Sequence, residues 1–210
     1  MTLVQIMSLT KNDLKAFALI SFFAFLLSAC GGGSSSSSNS RSASQIGTVG
    51  DSIAVGYGGV AAWPDLVRAK TGVAVVDESR AGRHAEFGSG AVMRIIANNE
   101  LSHLMVMLGV NDAKDGRVNQ AINAMQYYVA YANEQGVVPV IGTIPAVIRD
   151  SFSYNSSKQI SEGYRNLSGS YILADIDAAF DDNPIYYQSD LVHMSNEGED
   201  LIATVFANAL

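Results

Sequence analysis

Five short apolar runs separated by helical patterns limit what this chain can fold into more than any other feature. The runs are Ile46–Val49, Val73–Val76, Leu104–Leu108, Val137–Ile141 and Tyr171–Ile176. A strand with one wet face alternates polar and apolar residues. A strand that is nearly all apolar must be covered on both faces, as in a parallel sheet. Pro139 counts against the centre of the fourth run, because proline cannot donate to a ladder. Between the runs, Trp63-Pro64-Asp65-Leu66-Val67 carries proline where a first helical turn tolerates it. Val118 to Glu134 places Ile122, Met125, Val129 and Ala132 at helical spacing, and Gly136 stops the pattern. Asn196 with Glu199 reads as a capping box for a last helix, whose Leu201, Ile202, Val205 and Phe206 form one apolar face. Segment 146–166 is polar and reads as a loop leading to one short helix. The alternation predicts an α/β fold, a three-layer αβα sandwich with about five parallel strands and right-handed crossovers.

The N-terminus follows different rules. Lys11 and Lys15 precede an uncharged apolar stretch, Ala16 to Ala29, which is too short to span a bilayer comfortably and has the length of a signal-peptide apolar region. It ends in Leu27-Ser28-Ala29-Cys30, which resembles a bacterial lipobox. That resemblance implies cleavage before Cys30 and lipidation of its thiol. Cys30 is the single cysteine of the chain, so it has no disulfide partner within it. Gly31–Gly33 and the serine run 34–38 then read as a flexible tether. The expected organisation is therefore a signal peptide over 1–29, a lipidated Cys30 with its tether over 30–45, and one domain over 46–210. Such a protein would be anchored in the bacterial cell envelope by its lipid and would meet a membrane without spanning it. The formal net charge is -7, with no basic run outside the leader, which argues against a nucleic-acid partner.

Four groups of reactive residues fall at corresponding places in the alternation. Gly50-Asp51-Ser52 ends the first strand, ahead of a glycine-rich loop, Gly56–Gly59. Gly82 lies in the loop after the second strand. Gly109-Val110-Asn111-Asp112 ends the third, and Asp190-Leu191-Val192-His193 follows the fifth. In an open α/β sheet, ligands bind at the carboxyl ends of the strands, so all four groups share one edge. Each alone is also an ordinary turn. A serine hydroxyl needs a base to become a nucleophile, and histidine is the usual choice. Of the three histidines, His103 begins a strand and His84 has no carboxylate suitably spaced near it. His193 has Asp190 three residues before it, a spacing that can bring a carboxylate to one ring nitrogen while the other faces Ser52. No further His/Cys cluster completes a metal site around that pair. Asn111 offers an amide donor, Gly82 an approachable backbone N–H, and Ser52 its own N–H, three donors for an oxyanion.

These four blocks, in this order and over 46–210, resemble the SGNH hydrolases, also called GDSL esterases/lipases. Ala62-Trp63-Pro64 after the first block is similar to the small periplasmic thioesterase/lysophospholipase branch. The second block departs from the pattern: Asp77 stands where asparagine is common, and Arg80 and Arg83 flank Gly82. The resemblance implies a flavodoxin-like sandwich and acyl-ester hydrolysis through an acyl-enzyme. Ser52, Asp190 and His193 would be catalytic, and Ser52, Gly82 and Asn111 would form the oxyanion hole. Asp51 and Asp112 would support the site. It implies no cofactor and no metal, with a small-molecule ester as substrate. Deacetylation of O-acetylated glycans and non-catalytic binding on the same scaffold stay open as alternatives. Tyr154, Tyr164, Tyr186 and Tyr187 are candidates either for lining the cleft or for packing. An α/β-hydrolase elbow at Gly50-x-Ser52-x-Ala54 is excluded, because that fold places several strands before its serine. A phosphate loop at Gly56–Gly59 lacks the Gly-Lys-Ser/Thr that such a loop needs.

Overall fold

The computed structural model describes residues 44–210. Cys30, the expected leader and nearly all of the tether lie outside the described residues. The domain opens with β1 (Gln45–Gly50), α1 (Trp63–Thr71) and β2 (Val75–Asp77). It continues through α2 (Ser89–Asn98), β3 (Leu101–Met107), α3 (Val110–Lys114), α4 (Val118–Glu134) and β4 (Val138–Gly142). It closes with α5 (Ser151–Arg165), β5 (Ile172–Ala174), α6 (Ile176–Phe180) and α7 (Asn196–Asn208). The strands form one sheet in the order β2-β1-β3-β4-β5, and every neighbouring pair is parallel. Helices flank this sheet in an αβα sandwich. α1 packs on α7, and α4 packs on α2 and α5.

The apolar runs of β1, β3 and β4 become the core, while the edge strands β2 and β5 are only partly buried. Val49, Leu104, Met105, Val106, Val140 and Ile141 are buried, as strands covered on both faces require. Trp63 of α1 stacks on Phe206 of α7, with ring centroids 4.6 Å apart. Pro139 lies inside β4 after all, opposite Leu104 of β3. β5 pairs with β4 only from Val140 onward, so the missing N–H falls where that neighbour has not begun. The fifth strand is shorter than its apolar run, because the Asp175 side chain accepts from Ala178 N and starts α6.

Three helical readings need correction. First, α2 occupies a stretch for which no helix is predicted above, although Ala91, Val92, Ile95 and Ile96 give it an apolar stripe. Second, 151–165 is a fifteen-residue helix rather than a short one. Its buried face is largely serine. Ser161 Oγ donates to Ile144 O and accepts from Ile144 N, and Ser157 Oγ accepts from Val147 N. These hydroxyls replace hydrophobic residues in holding the segment after β4, so apolar periodicity does not reveal the helix.

Third, the last helix is capped by Ser195, whose side chain accepts from Gly198 N, and not by an Asn196–Glu199 box. Glu199 turns inward instead. It is 1% exposed, and its Oε2 accepts from Trp63 N at 3.1 Å. Burial pushes its carboxyl up to about 9; the Trp63 N–H opposes this and the nearby Asp51 adds to it. The folded state therefore holds a proton that the unfolded chain loses above about pH 4.5. More protons bound when folded means stability that declines as pH rises between those values. Glu199→Gln keeps the acceptor for Trp63 and removes the titration. The variant should gain thermal stability over wild type progressively from pH 5 to pH 9. Melting curves whose separation does not change with pH would contradict the buried, protonated Glu199.

Candidate active site

The strand order reverses between β1 and β3. From β1 the chain moves outward to β2, then returns across β1 to β3. A crevice opens at the carboxyl ends of strands where such a reversal occurs. β1 and β3 end level, with Gly50 opposite Met107. Ser52 and Asn111 therefore follow the two strands that border the crevice.

Hydrogen bonds fasten the loops at this edge to one another. The carbonyl of Gly50 accepts from Arg80 N at 3.1 Å and from Arg83 Nη1 at 3.5 Å. Asn111 Nδ2 donates to Arg83 O at 3.1 Å, and Asp112 Oδ2 accepts from Ala85 N at 2.8 Å. The third block thus grips the loop just after Gly82, at Arg83 and at Ala85. Gly82 itself has φ +74, and a Cβ there would meet nothing within 4 Å. Glycine is required by its conformation, and the space beside it is open to a ligand. Gly109, with φ +130, provides the sharp turn from β3 into α3 and places Asn111 in the first turn of that helix.

Ser52, His193 and Asp190 come together although 141 residues separate the serine from the histidine. Ser52 Oγ is 2.9 Å from His193 Nε2, and His193 Nδ1 is 2.6 Å from Asp190 Oδ2. The other carboxylate oxygen, Oδ1, accepts from the backbone N–H groups of Val192 and His193. Burial works against the Asp190 charge, but the hydrogen bonds from His193 and Val192 outweigh it and hold the carboxyl below its ordinary value. An ionised Asp190 draws the ring proton to Nδ1 and leaves the Nε2 lone pair facing Ser52. Leu191 adopts φ +57 within this turn. A left-handed leucine is strained backbone, and here it folds Asp190 back onto the histidine ring. Asn111, 9% exposed, is oriented by its bond to Arg83 O and by Lys114 Nζ at 3.5 Å from its Oδ1. One amide N–H of Asn111 stays free for a ligand.

Two buried acids lie under the site. Asp51 Oδ1 accepts from Ile53 N, and burial raises its carboxyl to about 7. Burial also raises Asp112, against the pull of the Ala85 N–H. A proton held by Asp51 near neutrality spares the crevice a full negative charge beside Ser52. Sequence reasoning missed two features here. The ring of Tyr57 stacks on His193 at 3.9 Å and 22°; it lies in the glycine-rich loop, and nothing in its spacing marks it. His84, which has no carboxylate suitably spaced near it in sequence, has one in space, with Asp115 Oδ2 2.7 Å from its Nε2. Three of the four late tyrosines are held by packing or by a hydrogen bond within the fold. Tyr164 is fully buried and donates to Leu108 O, Tyr187 is 6% exposed, and Tyr154 donates to Asp182. Among the described residues, no three His, Cys, Asp or Glu side chains group so as to hold a metal ion.

The model of the GDSL-like lipase/acylhydrolase family matches residues 48–201, from β1 into α7, and takes in all four blocks. The chain belongs to this family. Solved structures of similar fold include a protein named TesA, with a TM-score of 0.67 and 17% identity over 79% of this chain and 97% of that one. A lipase/acylhydrolase from Enterococcus faecalis has a TM-score of 0.64 and 19% identity over 78% and 94%. An acetyl xylan esterase from Geobacillus stearothermophilus has a TM-score of 0.63 and 14% identity over 79% and 94%. No curated protein sequence matches the chain.

The grip of Asp112 on Ala85 can be tested on stability alone. Asp112→Ala leaves a buried N–H without a partner and should cost about 1–3 kcal/mol in urea unfolding. Asp112→Asn keeps an acceptor oxygen and should cost much less. Equal losses in the two variants would show that the hydrogen bond is not what holds this loop.

Proposed function

We propose that this GDSL-family acylhydrolase is a serine esterase that cleaves carboxylic esters through an acyl-enzyme. The observation that carries the proposal is the continuous hydrogen-bonded chain from Ser52 Oγ through His193 to Asp190. Ser52 Oγ would attack the ester carbonyl carbon while His193 Nε2 takes its proton. Asp190 holds the ring in register and stabilises the imidazolium. The oxyanion forms against the N–H of Ser52, the N–H of Gly82 and the free amide N–H of Asn111. Collapse breaks the C–O bond to the alcohol, which leaves with the proton from His193. A water, deprotonated by His193, then attacks the acyl-enzyme and frees the acid and Ser52.

Residues 31–210 should hydrolyse a short-chain p-nitrophenyl ester, and Ser52→Ala should lower kcat by several orders of magnitude with the fold intact. Wild type without ester turnover would leave the non-catalytic binding reading in its place. Asn111→Ala removes a donor that acts when the oxyanion forms, worth ~3 kcal/mol, or about a hundredfold in kcat with little change in KM. An unchanged kcat would take Asn111 out of the hole. Tyr57→Ala removes an aromatic face from the imidazolium. An exposed contact of this kind is worth ~0.5–1 kcal/mol, so kcat/KM should fall about two- to fivefold, and Tyr57→Phe should restore it. A Phe variant as impaired as Ala would assign Tyr57 another role.

The sequence before the domain extends the proposal to the cell envelope. Leu27-Ser28-Ala29-Cys30 followed by a Gly/Ser tether supports a lipid-anchored enzyme that works within reach of a membrane. Within the family, Ala62-Trp63-Pro64 supports a thioesterase- or lysophospholipase-like substrate. Deacetylation of envelope or environmental glycans is the second reading, favoured by the fold shared with an acetyl xylan esterase. In a bacterial host, the intact mass of the mature chain should correspond to a diacyl- or triacyl-modified Cys30. A mature chain carrying no lipid would remove the anchor.

A further inference from the structure

Next to the oxyanion loop lies a cavity of about 390 Å³, lined by Arg80, Gly82, Arg83, Phe87 and Arg94 among others. Three guanidinium groups around one space are unexpected in a chain of net charge -7, and the three are not alike. Arg83 is engaged by the fold: its Nη1 donates to the carbonyls of Glu78 and Gly50. Arg94 Nη2 pairs with Glu78 Oε2 at 2.9 Å, and its side chain is 57% exposed. Arg80 serves the fold through its backbone alone, donating its N–H to Gly50 O. Its exposed side chain has neither a hydrogen bond nor a carboxylate partner among the described residues. Among the described residues, Glu78 is the one acid paired with these arginines, and its carboxylate answers only Arg94.

The cavity borders the proposed site at Gly82. Gly82 lines it and also belongs to the loop gripped by Asn111 and Asp112. Gly50, whose carbonyl anchors Arg80 and Arg83, is two residues from Ser52. A group bound here would sit beside the loop that carries Gly82, next to an ester held at Ser52. An arginine fork matches the paired oxygens of a phosphate or carboxylate, and it does so best where no protein carboxylate already occupies it.

We propose that Arg80, with Arg94 beside it, forms a subsite for an anionic group on the alcohol side of the ester, a phosphate or a carboxylate. The inference rests on the esterase reading of Ser52 and defines its substrate class. That class comprises esters of a phosphorylated glycerol, as in a lysophospholipid, and acetylated sugars that bear a carboxylate.

Two matched pairs of substrates test it on wild type, Arg80→Ala and Arg80→Lys. One pair is 1-butyryl-glycerol 3-phosphate against monobutyrin. The other is an O-acetylated methyl glucuronide against the equivalent acetylated methyl glucoside. The neutral member of each pair, measured on the same preparation, reports the state of the Ser52 machinery. Wild type should favour the anionic member of at least one pair by about tenfold in kcat/KM, the scale of one charge-assisted hydrogen bond. Arg80→Ala should abolish that ratio, chiefly through KM, and Arg80→Lys should keep part of it. A ratio confined to the glycerol pair indicates a lipid substrate, and one confined to the sugar pair a glycan. A wild-type ratio near one in both pairs, or a ratio that Arg80→Ala does not move, overturns the subsite while leaving the esterase intact. No turnover of either neutral ester or of p-nitrophenyl acetate overturns the esterase reading, and the subsite with it.

Discussion

The parallel pairing of β1 with β3 is the constraint on which the rest depends. It brings Gly50 level with Met107, so the chain leaves two neighbouring strands at the same height. Ser52 and the loop that carries Gly82 are attached to those two exits, and His193 meets Ser52 from the loop after the fifth strand. The first block continues directly into Ser52. The third turns through Gly109 and extends Asn111 and Asp112 to the loop that carries Gly82. The Gly50 carbonyl receives Arg80 and Arg83 from the other side. Slipping this register by one residue would exchange the two faces of β1 and separate these contacts. The hydrogen-bonded grip among the loops is thus a consequence of sheet pairing rather than of any one loop.

Buried acids set the electrostatic character beneath that edge. Asp51, Asp112 and Glu199 are each shielded from water, and each carboxyl is raised in consequence. Asp190 is the opposite case, with backbone and ring N–H groups that favour its charge. One carboxylate is held ionised where an imidazolium would form, while burial raises the carboxyls of the others nearby. A divergence of this kind between acids in one site is how acid and base roles are separated at neutral pH. The cost of burying the structural acids appears in the stability of the fold.

Much of this arrangement could be read from residues that state their local physics. The apolar runs gave the sheet because strands covered on both faces have no alternative composition. The four blocks could be placed at one edge because each ends a strand in an α/β alternation, and the pairing of Asp190 with His193 could be read because it is local. What could not be read depends on contacts across the chain. The buried face of α5 is made of serines whose partners lie in the preceding loop, so no hydrophobic period announces it. Glu199 has the position of a capping residue and the environment of a core one. Asp115 reaches His84 across 31 residues, and Tyr57 reaches His193 through the curl of a glycine-rich loop.

The central claim is that Ser52 is a nucleophile made reactive by His193. The most direct measurement is covalent labelling by a fluorophosphonate, mapped by peptide mass spectrometry in wild type and in His193→Ala. A single adduct on Ser52 in wild type, lost or slowed by orders of magnitude in the variant, is the predicted result. No adduct, an adduct on another residue, or equal labelling of Ser52 without His193 would contradict it.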